Sequence, residues 1–551
     1  MKLFFMLAVM LGFCGRLSAQ STADMVVLDA KIWTVDPQNP QAEALASQGE
    51  RLLAVGSNRE IRRYIGPNTR VLRLQGKRVL PGFIDNHVHF ISGGFQLLGI
   101  DLRPAKDPDA FIRLINERAQ RLPEKWITGG DWDHENWPDA PLPRKEWIDA
   151  ATPNTPVFVS RFDGHMALAN SLVLKLAGIT RETPDPPGGE IVHNPQTGEP
   201  TGILKDEAMS AVYRLIPDAT EGERTQACLA ALNEAKRFGV TSFHDLSSSE
   251  DLRIYQQLRR EGKLTSRINC RLPISQISAV LQSGIETGFG DDWIRIGGLK
   301  AFADGSLGSS TALFFHPYDQ DRTTCGLASD ILLDGRLEKW ILQADRNHLQ
   351  VSTHAIGDSA NRRVLDIYDL CLKENPSWDR RHRIEHAQHL ATEDIARFAH
   401  LQVIPALHPY HLIDDGRWAA KRIGEVRCRN AYPIRALLDQ GALVSFGTDW
   451  TVAPLNPLWG VYAAVTRRTL DGLHPDGWYP EQKISVAEAI TCYTVNSAYA
   501  SYEEKSKGRL KPEYLADWVV LSDDILAIEP AKIWDLHVEM TVVGGNVVYQ
   551  K

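Results

Sequence analysis

Apolar segments of strand length recur through the middle of the chain. Eight of them predict β-strands, at residues 80–85, 240–244, 268–272, 294–302, 350–354, 383–386, 402–406 and 443–446. Several are separated by amphipathic segments long enough for a helix, an alternation typical of parallel α/β folds. The pattern therefore predicts a (β/α)8 TIM-like barrel as the central domain, beginning at residues 77–102 and continuing over residues 226–505.

The interval between the first and second predicted strands is far longer than one connecting helix requires. Residues 103–225 are therefore predicted to form an insertion, and they are rich in Trp, Pro and Gly. An insertion after a barrel strand lies over the catalytic mouth of the barrel. We expect this one to form a lid and much of the substrate pocket.

Both ends of the chain show short β-rich pieces broken by turn residues. They occupy residues 20–76 and 506–551, and Gly544 and Gly545 predict a tight hairpin near the C-terminus. Neither end carries enough apolar surface to fold alone. The two ends are therefore predicted to pair into one small β-sandwich domain beside the barrel.

Composition and charge narrow the class of protein. The chain has 551 residues, 43% hydrophobic and 24% charged, which predicts a globular protein of two or three structural units. A net charge of -8, without a Lys/Arg run, disfavours nucleic-acid binding. The expected partner is a small-molecule substrate, and a homodimer is one possible oligomeric state.

The first 19 residues resemble a cleaved secretory signal. Lys2 precedes an apolar core over residues 3–13, and Ser18 and Ala19 precede Gln20. A membrane anchor is the alternative, although the apolar core is short for a membrane span. Lipidation at Cys14 is disfavoured because Phe13 stands where a small residue is expected. The mature protein is therefore predicted to be exported, periplasmic or secreted, without a membrane span.

Six cysteines follow the predicted signal, widely spaced and without a Cys-x-x-Cys motif. This spacing indicates neither a zinc knuckle nor a disulfide-dense scaffold. One or two disulfides remain compatible with an oxidising compartment.

His87 and His89 follow the first predicted barrel strand. Side chains alternate across a strand, so the two imidazoles point to the same face, where they could share a metal ion. A pair of surface histidines at a strand end is the alternative. The residues that end the other predicted strands favour the metal site.

Polar side chains occur near the ends of five of the predicted strands. Because the carboxyl ends of parallel barrel strands meet at one face, these side chains are predicted to converge. They form a nitrogen and oxygen set suited to zinc and compatible with manganese, iron or nickel. The predicted metal-binding residues are His87, His89, Lys300, His354, His386 and Asp449.

Lys300 requires a separate explanation, because an ammonium group has no lone pair for a metal. A buried lysine near cations has a lowered pKa, and its neutral amine can add carbon dioxide to form a carbamate. The carbamate is an anion that can bridge two metal ions. The alternative is a lysine that pairs with Asp304 or with a substrate carboxylate.

Several further residues are candidates for substrate contacts. His165 lies in the insertion, where it could bind a substrate carbonyl or oxyanion, or instead cap local backbone. His244 ends the second predicted strand and Asp358 follows the fifth, so both could line the pocket. Trp132, in the insertion, indicates an apolar pocket, although tryptophans are more often core residues.

Several motifs, in this order, resemble the metal-dependent amidohydrolase superfamily, and within it the branch that includes N-substituted formamide deformylase. The resemblance covers nearly the whole chain after the signal. The matching stretches are residues 81–89, 163–165, 169–171, 188–190, 300–308, 353–358, 382–388, 447–450 and 516–521.

The resemblance implies a role for each candidate ligand. His87 and His89 would hold the more buried metal ion, which Asp449 would also touch. His354 and His386 would hold the more exposed ion, and a carboxylated Lys300 would bridge the two. His408 stands where relatives of this family carry Gln, so the substrate contact there is expected to differ.

The resemblance also implies the reaction. A metal-activated hydroxide would attack a substrate carbonyl, and Asp449 would take the proton of the water and return it to the leaving amine. Asp449 could instead be only a structural ligand. The leading hypothesis is hydrolysis of an amide, N-acyl or N-formyl carbon-nitrogen bond. The alternatives are hydrolysis of an ester, lactone or cyclic amide at the same site, and a catalytically silent binding or regulatory barrel.

Overall fold

A computed structural model describes residues 22–121 and 124–551 of the chain. The predicted signal segment, residues 1–19, lies outside this part.

Eight parallel strands form the central sheet and confirm the predicted barrel. In spatial order they are Ser445–Phe446, Ile404–Leu407, Arg383–His386, Val351–Ala355, Ile294–Phe302, Arg267–Pro273, Val240–Leu246 and Phe83–Val88, with Phe289–Gly290 paired antiparallel to Ile294–Phe302.

The barrel is nearly closed, and its seam runs between the first and last strands. Val88 pairs with Trp450 through an isolated parallel bridge. The backbone nitrogen of His89 donates to Trp450 O at 2.6 Å, and that of Asp449 donates to His87 O at 2.9 Å. Residues of the predicted metal site thus form two of the hydrogen bonds that join the two edges of the sheet.

The first predicted barrel strand is divided at Gly82. Before it, Arg78–Pro81 pairs with Trp518–Leu521 in a sheet of the terminal domain. After it, Phe83–Val88 pairs with Val240–Leu246 in the barrel. A Cβ atom on Gly82 would lie 2.1 Å from Thr241 Oγ1, so only glycine fits where the chain passes from one sheet to the other.

The two chain ends form the predicted terminal domain, from two sheets. One sheet contains Arg51–Gly56, Ala44–Gln48, Met25–Leu28 and Arg70–Arg73 in spatial order. The other contains Asn546–Gln550, Val538–Val543, Trp518–Leu521, Arg78–Pro81, Lys31–Trp33 and Gln41–Ala42. Side chains from both ends share one buried cluster, which includes Val27, Leu45, Trp518 and Val542. Neither end could bury these apolar side chains without the other.

A third sheet belongs to the insertion. Its strands are Gly189–His193, Pro200–Asp206, Met166–Ala169, Val157–Arg161, Ile127–Trp132 and Ile100–Asp101 in spatial order. It has its own apolar clusters on both faces, around Phe111 and Trp132 on one and Phe158 and Leu204 on the other. The insertion is therefore a packed unit and not a flexible loop.

The barrel strands alternate with helices, several of which begin with side-chain caps. Thr220 and Glu223 form a reciprocal capping box before Glu221–Arg237, the helix that leads into the second barrel strand. The α-helices are Asn58–Ile61, Phe90–Leu98, Pro108–Arg121, Glu146–Asp149, Ser171–Ala177, Ser210–Tyr213, Glu221–Arg237, Ser249–Arg260, Ile277–Gln282, Asp330–Leu333, Arg336–Arg346, Asp358–Glu374, Thr392–His400, Pro409–Asp415, Ala419–Cys428, Ile434–Asp439, Pro457–Thr466, Val486–Tyr493 and Val495–Ala500. Within the described residues, none of these helices has the length and apolar character that a membrane crossing requires.

The six cysteines after the predicted signal all carry free thiols, and five of them are buried. The disulfides that the sequence left open are therefore not formed in this structure. The buried thiols act as small apolar groups in the core.

Candidate metal and active site

The carboxyl ends of the barrel strands open into one large cavity with a volume of about 1320 Å³. Segments of the insertion, including Gly129 and Phe162, form part of its wall. The structure brings residues as distant in sequence as His87 and Asp449 to this cavity, as the parallel topology predicts. The predicted site residues that line it are His87, His89, His165, Lys300, His354, His386 and Asp449.

Asp449 lies at the centre of a group of imidazoles. Its Oδ1 is 3.3 Å from His87 Nε2 and 3.5 Å from His89 Nε2. Its Oδ2 is 4.0 Å from His386 Nδ1 and 3.9 Å from His411 Nε2. Burial alone would raise the pKa of this carboxyl, but the attraction of His87 and the close approach of the His87 and His89 imidazoles hold the pKa well below its ordinary value. Asp449 is therefore an anion on which nitrogen donors converge.

Glu385 orients His87 from the side opposite Asp449. His87 Nδ1 lies 2.6 Å from Glu385 Oε2, so this nitrogen donates and Nε2 faces Asp449. Arg383 Nη2 lies 2.9 Å from Glu385 Oε1, and both side chains are fully buried. Burial alone would raise the pKa of Glu385, but Arg383 and His87 bring it well below its ordinary value. A carboxylate behind a histidine fixes the tautomer that a metal ligand requires.

Asp85 joins the first barrel strand to the loop that carries Asp449. It accepts hydrogen bonds from Thr448 N at 2.9 Å, from Thr448 Oγ1 at 2.6 Å and from His87 N at 3.2 Å. Asp449 itself has a positive φ of 57°. These contacts hold a strained residue in place, so the Asp85 bonds stabilise the orientation of the Asp449 side chain.

Asp304 fixes the loop that follows His354. It accepts hydrogen bonds from the backbone nitrogens of Leu313, Ile356 and Gly357 at 2.8, 3.0 and 2.9 Å. The His354 ring lies 4.4 Å from the His386 ring, centroid to centroid. Burial lowers the pKa of His354 well below its ordinary value, so this imidazole is neutral and retains a lone pair.

Lys300 is 4% exposed and projects into the cavity. Its Nζ has no hydrogen-bond partner among the described residues and lies 4.5 Å from the centroid of the Phe302 ring. The predicted alternative, an ion pair with Asp304, is not formed. Burial lowers the pKa of Lys300 to about 8, against the attraction of Glu385 and Asp449. A substantial fraction of the amine is therefore neutral near pH 8, which is the form that adds carbon dioxide.

The donor set fits a divalent metal ion. His87, His386, His408 and Asp449 each offer one ligand atom, and these atoms all lie within 4.8 Å of one another. In the part of the chain that the structure describes, His87 Nε2, His386 Nδ1, both His408 nitrogens and Asp449 Oδ1 are buried without a hydrogen-bond partner. Buried polar atoms without partners cost free energy, and a cation would satisfy several at once. Nitrogen and carboxylate donors suit zinc and other borderline divalent ions.

His165 extends from the insertion towards the barrel face of the cavity. Its Nδ1 lies 2.6 Å from Asp206 Oδ1, and its ring lies 5.2 Å from the His354 ring, centroid to centroid. Burial alone would lower the pKa of His165, but Asp206 outweighs it and raises the pKa to about 9. His165 is therefore a cation that faces the candidate metal ligands, rather than a cap of local backbone.

Trp132, His244 and Asp358, all predicted substrate contacts, are not among the described residues that line the cavity. Trp132 is buried in the insertion, where its Nε1 donates to Val159 O. His244 is fully buried and accepts from Arg383 Nη1 at 2.9 Å. Asp358 begins a helix and accepts from the Phe315 backbone nitrogen at 2.9 Å. For each of these residues a structural role explains its contacts.

Sequence reasoning missed the position of His408 and the presence of His411. The predicted substrate contact His408 lies in the cluster of candidate metal ligands and is not among the described residues that line the cavity. His411, which the sequence analysis did not select, lines the cavity beside Asp449. Both follow the strand Ile404–Leu407 at its carboxyl end, so the rule that identified the other ligands would also have identified them.

Comparison with known proteins supports this architecture. The sequence profile described as the amidohydrolase family matches residues 70–549. The chain is 38% identical to Protein LONG AFTER FAR-RED 3 of Arabidopsis thaliana, over 96% of this chain and 92% of that protein. It is 26% identical to N-substituted formamide deformylase of Arthrobacter pascens, over 96% of this chain and 98% of that protein. A metal-dependent hydrolase of uncharacterised activity from Pyrococcus horikoshii has a similar structure, with a TM-score of 0.75 and 26% identity over 92% of this chain and 99% of that one.

Proposed function

We propose that this chain, which belongs to the amidohydrolase family and is a metal-dependent hydrolase, cleaves the carbon-nitrogen bond of an amide, N-acyl or N-formyl substrate. One observation carries the proposal. An ionised Asp449 lies among the imidazoles of His87, His89, His386 and His411 in the cavity, and the cationic His165 reaches the same cavity from the insertion. A base and a hydrogen-bond donor thus both line a space that a carbonyl group can enter.

Asp449 has the properties of the general base and acid of this reaction. The histidines and Asp449 would hold a divalent ion, whose chemistry would be to lower the pKa of a water and to polarise a carbonyl. The unpartnered Oδ1 of Asp449 can accept the proton of the attacking water. The same carboxyl can then return that proton to the leaving nitrogen, which an amine requires before it departs.

His165 is suited to stabilise the substrate oxygen. Asp206 holds its Nδ1, so Nε2 of the cation can donate towards the cavity. Negative charge develops on the carbonyl oxygen during attack, and a positioned donor stabilises that charge more than it stabilises the substrate. His165 would therefore act on the oxygen while Asp449 acts on the water and on the nitrogen.

The aromatic part of the cavity wall can accommodate an apolar substituent of the substrate. Phe95, Phe162, Phe302 and Trp418 line it, and Arg161, which is also in the wall, is neutralised by Asp163 at 2.5 Å. A volume of about 1320 Å³ exceeds what a formyl or acetyl group alone would fill. We therefore propose N-substituted amides with aromatic or alkyl groups. The relative named N-substituted formamide deformylase is consistent with this class.

The experiment is metal analysis of the mature protein followed by a substrate panel. Zinc is the proposed ion, and amides, formamides, esters, lactones and cyclic amides should be compared on zinc-reconstituted protein. We expect the highest kcat/KM on N-substituted formamides or amides. Preferential cleavage of esters or lactones would replace the carbon-nitrogen assignment, and inactivity on every class with metal bound would favour a binding role.

Asp449→Asn tests the role of Asp449 in the same assay. The amide cannot accept a proton, so turnover should fall by about 100-fold to 10,000-fold in protein that still contains metal. Asp369→Asn is the matched control, because Asp369 pairs with Lys373 on an exposed helix face. Near-normal turnover in metal-loaded Asp449→Asn would exclude Asp449 as the base.

A further inference from the structure

We propose that His408 is a metal ligand in this chain and completes a three-imidazole, one-carboxylate site with His87, His386 and Asp449. This site would hold one ion without a contribution from Lys300. The inference rests on the proposed function only in requiring that the protein binds metal. It does not depend on which bond the protein cleaves.

Distances carry the proposal. The His408 ring lies 4.8 Å from the His87 ring and 4.6 Å from the His386 ring, measured between centroids. One ligand atom of each lies within 4.8 Å of the others and of an oxygen of Asp449. Four donors bound to one zinc ion at about 2.0 to 2.2 Å lie roughly 3.5 Å apart, so small side-chain shifts would close this cluster around an ion.

The ring nitrogens of His408 are buried and lack the partners that buried nitrogens normally have. The residue is 1% exposed, and neither ring nitrogen has a hydrogen-bond partner among the described residues. A core histidine normally has at least one partner, because an unsatisfied buried polar atom costs free energy.

The backbone holds His408 at this position. Strand Ile404–Leu407 ends one residue before it, and Pro409 begins the next helix directly after it. Proline is favoured in the first turn of a helix and fixes its own φ, so the short link between strand and helix has little freedom. The imidazole is thus placed by two rigid elements, as a metal ligand should be.

A direct substrate contact is the competing assignment for His408. His408 is not among the described residues that line the cavity, whereas His411, one helical turn further on, is among them. The two rings are 5.4 Å apart, and His411 Nε2 approaches Asp449 Oδ2 from the cavity side. The geometry thus separates two roles, with His408 among the ligands and His411 available to the substrate.

The test measures metal binding on the full mature chain. Metal-free protein is titrated with Zn²⁺ and Co²⁺ against a competing chelator, and the visible spectrum of the Co²⁺ form is recorded. His408→Gln should weaken the first-bound ion by about 100-fold or more, since even the loss of a supporting contact behind a ligand costs about 10-fold to 100-fold. The Co²⁺ spectrum should change with it.

His389→Gln is the matched control. His389 is as buried as His408 and lies three residues beyond His386, but it packs against Phe314 and Tyr432, away from the ligand cluster. Its substitution should leave metal affinity and the Co²⁺ spectrum unchanged. Lys300→Ala should retain one tightly bound ion, because the proposed site does not use Lys300.

A measurement on the wild type keeps the proposal testable if His408→Gln does not fold. X-ray absorption of protein loaded with a single Zn²⁺ should show three imidazole ligands. Two imidazoles or fewer, or wild-type metal affinity and spectrum in His408→Gln with only KM changed, would overturn the proposal. Those results would leave carbon-nitrogen hydrolysis intact. If no compound of the substrate panel were cleaved, the result on His408 as a metal ligand would be unaffected.

Discussion

Glu385→Gln should separate metal affinity from catalytic chemistry. The substitution keeps the size of the side chain but removes the negative charge that faces His87 Nδ1 at 2.6 Å and Arg383 Nη2 at 2.9 Å. An amide oxygen can still accept from His87, so the ring stays in place. What is lost is the charge that favours donation from Nδ1 and makes Nε2 a stronger ligand.

These contacts give the expected loss of metal affinity and the expected loss of stability. Loss of a carboxylate behind a ligand histidine weakens metal binding by about 10-fold to 100-fold, which corresponds to about 1.4 to 2.7 kcal/mol. Arg383 is fully buried, and removing the carboxylate that pairs with it leaves a charge without compensation at a cost of about 3 to 5 kcal/mol. Hydrogen bonds of Arg383 to His244 and to Asn86 O remain, so the lower end of that range is expected.

The assay has three readouts. Chelator competition gives the metal affinity, denaturant unfolding of metal-free protein gives the stability, and turnover is measured at saturating metal. We expect metal affinity and stability to fall, while turnover at saturating metal remains within about 10-fold of wild type. Glu488→Gln is the control, because Glu488 belongs to the capping box of an outer helix and should leave metal affinity unchanged. A Glu385→Gln protein with wild-type affinity and wild-type stability would refute the reasoning.

Three further outcomes are expected. If Lys300 carries the bridging carbamate that the family resemblance implies, Lys300→Ala should lose activity that millimolar formate or acetate partly restores, whereas rescue by alkylamines alone would show that Lys300 acts as a cation. The pKa of His165 is raised from 6.5 to about 9, so its contribution to the stability of metal-free protein should be complete below pH 6.5 and disappear as the pH rises through about 9. Thermal unfolding between pH 6.5 and 9 should show this loss of stability in wild type and not in His165→Gln. Equal pH dependence of stability in wild type and His165→Gln would contradict the raised pKa of His165. Mass spectrometry of native protein should show a mature chain that begins near Gln20, and an intact Met1 would contradict the predicted export.

The barrel was predictable because its strands are buried on both faces. Val351–Ala355 and Arg383–His386 are buried throughout and appear in the sequence as short runs whose ends carry the polar site residues. The boundary at Gly82 was not predictable. The apolar run through it is continuous, and only the approach of Thr241 in the folded protein requires the break.

The sequence predicted only those residues of the candidate site that are placed there by their position at the end of a strand. His87, His354, His386 and Asp449 were found because parallel strands end at one face. Glu385 was not found, because the side chain that supports a ligand is recognised by contact and not by spacing. Trp132 was misplaced because composition cannot show whether a tryptophan faces a cavity or a core, and in this chain its indole donates to Val159 O inside the insertion.

The seam of the barrel has a consequence for the order in which the protein is made. His87 and His89 leave the ribosome early, but the partners that join them, Asp449 and Trp450, follow only after most of the chain has been synthesised. Strand Arg78–Pro81 likewise waits for Trp518–Leu521, close to the last residue. A nascent chain can therefore neither close its barrel nor assemble the complete set of ligands. Metal binding at the proposed site would therefore require the finished polypeptide, in whichever compartment that polypeptide completes its folding.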